Sequence, residues 1–168
     1  MTFLSGSVNV CGAGLVHDPS HPSDHKTMYQ LITSSIVNAP QPSYVLRMLH
    51  SSAKPLYVPA NGHRSTPSVP TDTKEDMMEI FAADVDGRPR EHRRLMARRN
   101  YLACVAYDPE LVQGAFGTVT PAPSQVRGGS GRLSLAADFM VQGDVGGVYG
   151  GMPMKYGPVV VPSLEYGR

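Results

Sequence analysis

The chain has 168 residues, of which 41% are hydrophobic and 17% charged, and its net charge is +1. That length suits a single domain. Charged residues fall below the usual ~25%, while 17 Gly and 15 Pro exceed average usage without reaching the low-complexity range. This balance argues against plain disorder, and the near-zero charge against a global field that would draw the chain to nucleic acid or an anionic membrane.

Residues 1–22 read as an extended N-terminal arm, with Val8 and Val10 in a short strand ending at Gly12 and Gly14 and a break at Pro19 and Pro22. The opening lacks a basic n-region, and no apolar run approaches the ~18 residues of a membrane span, so the chain reads as neither secreted nor transmembrane. Ser23 or Asp24 can cap a helix running to about Val37, because Met28, Leu31, Ile32, Ser35 and Ile36 form an apolar stripe at helical spacing. Pro40 and Pro42 stop it. Tyr44 to Leu49 adds a helical turn or two, and 50–71, with Pro55, Pro59, Pro67 and Pro70, reads as a linker.

Charge concentrates in the next stretch. Thr71 or Thr73 can cap a helix with Glu75, Asp76 and Glu79 in its early turns, where the helix dipole favours anions. Met77, Ile80, Phe81 and Asp84 share a face; Asp86-Gly87 stops the helix, and Pro89 opens a second helix to about Tyr107 with Leu95, Leu102, Val105 and Ala106 inward. Together they predict an αα-hairpin over 73–107 that packs with the 24–37 helix. Beyond it, 113–168 reads as a Gly/Pro-rich C-terminal arm. Within that arm 132–142 alternates like a strand, and 157–162, clipped by Pro158 and Pro162, suits an edge strand. The expected fold is α+β: a small helical core (αα-hairpin plus third helix) over 23–112, long extended arms, and one or two short strands.

Several motifs along the same path have chemical content. His17, His21 and His25 recur every four residues, but Pro19 and Pro22 interrupt the helix that would align them, so no metal site is expected. Asp84-Val85-Asp86-Gly87 opens like a calcium loop and fails at once, with Arg88, Pro89 and Leu95 at ligand or glycine positions. Cys11-Gly12-Ala13-Gly14 lacks the third glycine of a dinucleotide fingerprint, since His17 stands there, and Gly128-Gly129-Ser130-Gly131 is no phosphate loop. Cys104, among small apolar neighbours, reads as a packed thiol, and both cysteines read as reduced, with one disulfide left open.

The densest basic run is Arg88, Arg90, Arg93, Arg94, Arg98 and Arg99. Pairing with Glu75, Asp76, Glu79, Asp84 and Asp86, or solvation, accounts for it most simply; an acidic protein surface comes next and nucleic acid last. On this reading the partner-contacting residues are Arg90, Arg94 and Arg98, together with Phe139, Tyr149, Tyr156 and Tyr166 as anchors in the C-terminal arm. No cofactor, metal or catalytic group is nominated. The function expected from sequence is therefore non-enzymatic: a structural subunit of an ordered assembly, such as a minor, cement-like or small capsid protein of a virion, held by neighbouring protein subunits through extended arms. The alternatives are a cytoskeletal lattice protein, such as one inside a ciliary microtubule, and a small adaptor using its Arg-rich helix. The corresponding location is a virion or a cytoplasmic, cytoskeletal assembly.

Overall fold

The computed structural model describes residues 1–7, 9–21, 24, 26–52, 55–58, 73–107, 133–144 and 151–162. Strands β1 (Thr2–Ser7), β2 (Gly12–His17) and β3 (Met28–Ser34) are followed by helix α1 (Ser43–Ser52) and strands β4 (Leu56–Val58), β5 (Thr73–Met77), β6 (Asn100–Tyr107), β7 (Ser134–Val141) and β8 (Met154–Val161). One sheet has the order β1-β3-β2-β5-β4; the other is β6-β7-β8. In the first sheet β1 runs parallel to β3 and the remaining pairs are antiparallel. The second is an antiparallel meander with a register shift between Ala137 and Phe139.

Among the described residues one buried cluster joins the two sheets. Ala13 and Leu31 come from the first, Ala137, Phe139, Val141 and Val159 from the second, and Cys11, Phe81 and Met96 from the segments between strands. Phe81 is the keystone: its ring meets Phe139 edge-on at 5.9 Å between centroids and Tyr156 at 5.3 Å. Full burial of such a side chain is worth about 1.5–3 kcal/mol. Backbone hydrogen bonds tie the same region, since Cys11 and Met96 each donate to the other's carbonyl at 2.9 and 3.0 Å. Gly12 is required there, because a Cβ would lie 2.9 Å from the Arg94 carbonyl oxygen and 2.8 Å from Met77 Cε.

The helical core expected from the sequence is replaced by strands. Residues expected to form the 24–37 helix instead build β3, where Tyr29 and Leu31 are buried and Met28 and Gln30 exposed, with Thr27 buried just before it. Burial with a period of two is the pattern of a half-buried strand, and β-branched Ile32 and Thr33 suit it. The αα-hairpin is absent as well. Its first half holds β5 and its end becomes β6, while 78–99 between them is irregular. There the arginines serve the backbone: Arg90 Nε donates to the His92 carbonyl at 3.2 Å, Arg90 Nη2 to the Leu95 carbonyl at 3.2 Å, and Arg93 Nε to the Arg90 carbonyl at 3.2 Å. Side-chain donors thus satisfy carbonyls that need not be paired by a helix.

The arms are corrected too. Residues 1–22 supply β1, β2 and the buried Cys11 and Ala13, and 113–168 supplies β7 and β8 with four residues of the central cluster. The strand alternation over 132–142 and the edge position of the 157–162 run match β7 and β8, which pair with each other. The short helical segment at 44–49 lies inside α1. Most of the 50–71 linker lies outside the described residues, apart from the end of α1 and β4. Among the described residues, no helix is long and apolar enough to cross a membrane.

Candidate functional site

The 78–99 segment folds back on itself. Phe81 N–H donates to the Arg93 carbonyl at 2.9 Å, Arg90 N–H to Ala82 at 3.0 Å and Asp84 N–H to Arg88 at 2.7 Å. The tip is a turn in which Gly87 adopts φ 83°, a left-handed conformation that glycine reaches without steric cost. Asp86 Oδ1 accepts the Arg88 N–H at 2.9 Å. The Asp86-Gly87 turn read from sequence is therefore real, but it joins two extended arms instead of two helices.

This fold-back gathers the basic run around acids. Arg90, its side chain 12% exposed, binds Asp84 Oδ2 through Nη1 at 3.1 Å. Arg98 reaches Asp84 Oδ1 at 3.4 Å and Asp144 Oδ1 at 3.3 Å. Arg94 lies 3.6 Å from Glu79 Oε1 and 4.0 Å from Asp76 Oδ1, and Asp76 also takes Lys74 at 3.0 Å. Arg88 pairs with Asp86 at 3.3 Å near the surface. Arg90 and Arg98 thus share one carboxylate, whereas Arg94 belongs to a separate group on β5.

Beside the turn stands α1, started after Pro42, whose carbonyl accepts the N–H groups of Val45 and Leu46 at 3.0 and 3.4 Å. Between them lies a cleft of about 360 Å³, lined on the helix side by Ser43, Leu46 and Arg47 and on the turn side by residues that include Arg88, Arg90 and His92. Of its carboxylates, Asp84 and Asp86 are held by arginines, and the exposed Glu91 lines it as well. The first turn of α1, at Ser43, brings the positive end of the helix dipole to the same cleft. His92, itself in the lining, packs against His50 with ring centroids 4.6 Å apart. His50 Nε2 and His92 Nδ1 are buried without a hydrogen-bond partner among the described residues. Burial, reinforced by the positive charge of His92 and Arg94, holds the His50 imidazole below its ordinary pKa of 6.5.

Of the anchors expected in the C-terminal arm, Phe139 is fully buried in the core and Tyr156 is half-buried against Phe81. The Tyr156 hydroxyl has no partner among the described residues. Burial, and secondarily the Asp84 charge, raise its pKa. Tyr149, Tyr166 and His25 lie outside the described residues. His21 Nδ1 contacts Asp18 Oδ2 at 3.2 Å in an exposed turn. Among the described residues no three His, Cys, Asp or Glu side chains converge so as to hold a metal ion. Cys11 is buried, which pushes its thiol up to about 12, while Cys104 is exposed on β6 and is not the packed thiol expected. Sequence reading passed over Arg47, His50, His92 and Asp144. Only the basic run hinted at them, because the two walls of the cleft are far apart in the chain.

The family described as PhoD related phosphatase matches the chain over residues 1–168. Neither a curated protein nor a solved structure matches it. A phosphatase family overturns the expectation of a non-enzymatic structural subunit, and with it the capsid, microtubule-lattice and adaptor readings. Nothing in the comparisons supports a virion or cytoskeletal location.

Proposed function

The chain belongs to the PhoD related phosphatases, and from that membership we propose that it binds a phosphate ester and supports its hydrolysis, with the cleft between α1 and the 84–92 turn receiving the phosphoryl group. The family match over residues 1–168 carries this reading. The cleft contributes what phosphoryl transfer asks of a protein, which is positioning and electrostatic stabilisation of oxygen-borne charge. Arg47 and Arg88 stand on opposite walls, and both are exposed. A guanidinium presents paired donors to phosphate oxygens in a fixed fork, so two of them can hold one phosphoryl group from two sides. Arg90, committed to Asp84 and to two carbonyls, sets the shape of the wall. His92, in the lining, is the cleft's candidate proton donor to a leaving oxygen.

The test is hydrolysis of p-nitrophenyl phosphate and bis-p-nitrophenyl phosphate by the purified protein. Saturable turnover of one of them, inhibited competitively by inorganic phosphate, is expected. Absence of turnover on both, together with no phosphate binding by calorimetry, overturns the reading.

A further inference from the structure

β6 lies at the edge of its sheet, paired with β7 on one side and, among the described residues, with no strand on the other. An edge strand presents a row of N–H and C=O groups ready to pair with another strand. Folded proteins usually blunt such edges with lysine, proline or a bulge. The opposite edge follows that rule: β8 carries Lys155 and Pro158, and its pairing with β7 shifts register between Ala137 and Phe139. β6 does not. Its residues 101–107 read Tyr-Leu-Ala-Cys-Val-Ala-Tyr, with no charge and no proline. Tyr101 is 47% and Val105 62% exposed, and Ala103, Cys104 and Ala106 are exposed as well.

The order of these residues indicates which partner fits. A two-fold interface brings each surface patch against its own copy, so residue i must suit residue j and j must suit i. Turned antiparallel about Cys104, the segment satisfies this condition: Tyr101 faces Tyr107, Leu102 faces Ala106, Ala103 faces Val105, and Cys104 faces itself. Aromatic residues meet at both ends, and a large side chain meets a small one at the inner positions, on the same sheet face in every pair. Like charges directly opposite one another destabilise a strand pair, and this pairing opposes none. We infer that β6 is the dimer edge of this protein: two copies pair antiparallel through Tyr101–Tyr107, joining their three-stranded sheets into one. The partner is a second copy of the chain.

The test uses Cys104 as a reporter, since Cys11 is buried. Sedimentation of the purified protein at increasing concentration should give a dimer, and a short bis-maleimide should cross-link it, with the cross-link lost in Cys104→Ser while that variant remains dimeric. Val105→Lys places a charge in each half of the interface at an exposed position and should yield a folded monomer; Ala103→Lys serves as the second such variant. Register is read in the Cys104→Ser background by direct disulfide formation under mild oxidation: chains carrying Ala103→Cys should form a disulfide with chains carrying Val105→Cys, and neither alone should do so as readily, because only directly opposite residues come close enough. A monomer at every concentration overturns the inference. So does a dimer that survives both lysine variants, or one that fails to cross-link at Cys104.

Discussion

Arg90 closes on Asp84 at 3.1 Å while its remaining donors bind the carbonyls of His92 and Leu95. One side chain thereby fixes both arms of the turn that walls the cleft. Because Arg98 shares the same carboxylate at 3.4 Å, removing Asp84 leaves two guanidiniums without it. Asp84→Ala should cost about 1–3 kcal/mol of stability, the penalty of leaving charged, partly buried donors unmatched. Urea unfolding measures it. A midpoint unchanged from wild type would mean that the pair is a solvated contact.

Phe81 should be the most sensitive core position, since its ring touches aromatic residues of both β7 and β8. Phe81→Ala is expected to lower stability by about 3–5 kcal/mol, and Phe81→Leu by clearly less. Thermal unfolding of the two variants compares them directly. Equal, small losses would show that the sheets do not depend on this contact.

Gly12 and Gly6 form a matched pair for testing the packing of the first sheet. A Cβ at Gly12 meets the Arg94 carbonyl at 2.9 Å, whereas at Gly6 nothing lies within 4 Å. Gly12→Ala should destabilise by about 1–3 kcal/mol through overpacking, and Gly6→Ala should be near neutral. The reverse order in denaturant midpoints would contradict the backbone path through Cys11 and Met96.

Acid should weaken the fold through His50. Its pKa in the folded chain is below 6.5, chiefly because of burial, so the unfolded chain takes up a proton first as the pH falls. Stability is then full above about pH 6.5 and declines below it, since the slope follows the excess of protons bound by the unfolded state. The charges facing His50 include His92 and Arg94, which favour the neutral ring, and Glu79 and Glu91, which oppose them. Unfolding free energies measured between pH 8 and pH 5 should fall less steeply in His50→Asn than in wild type. Identical slopes would remove His50 from the account.

Legibility in the sequence followed local chemistry. β7 could be read because its alternation is uninterrupted, β8 because prolines clip it, and the Asp86-Gly87 turn because it needs a left-handed residue. β3 was lost because Met28, Leu31 and Ile32 fit a helical stripe as well as Tyr29 and Leu31 fit a strand. β6 was lost because most of it is exposed on both faces, so burial imposes no period. The internal pairing of the arginines was legible in kind; its geometry was not, since Asp144 and α1 approach from distant parts of the chain. No residue pattern announced a phosphatase. That reading comes from the family match alone.

The most direct test of the phosphatase reading is the steady-state hydrolysis of a p-nitrophenyl phosphate ester by wild type, Arg47→Ala and Arg88→Ala. Both arginines are exposed, so unfolding midpoints should not change. Loss of one charge-assisted hydrogen bond, about 1.5–3 kcal/mol, corresponds to a fall in kcat/KM of about 10- to 100-fold for each variant. Values of kcat/KM equal to wild type in both variants would contradict the placement of the phosphoryl group in this cleft.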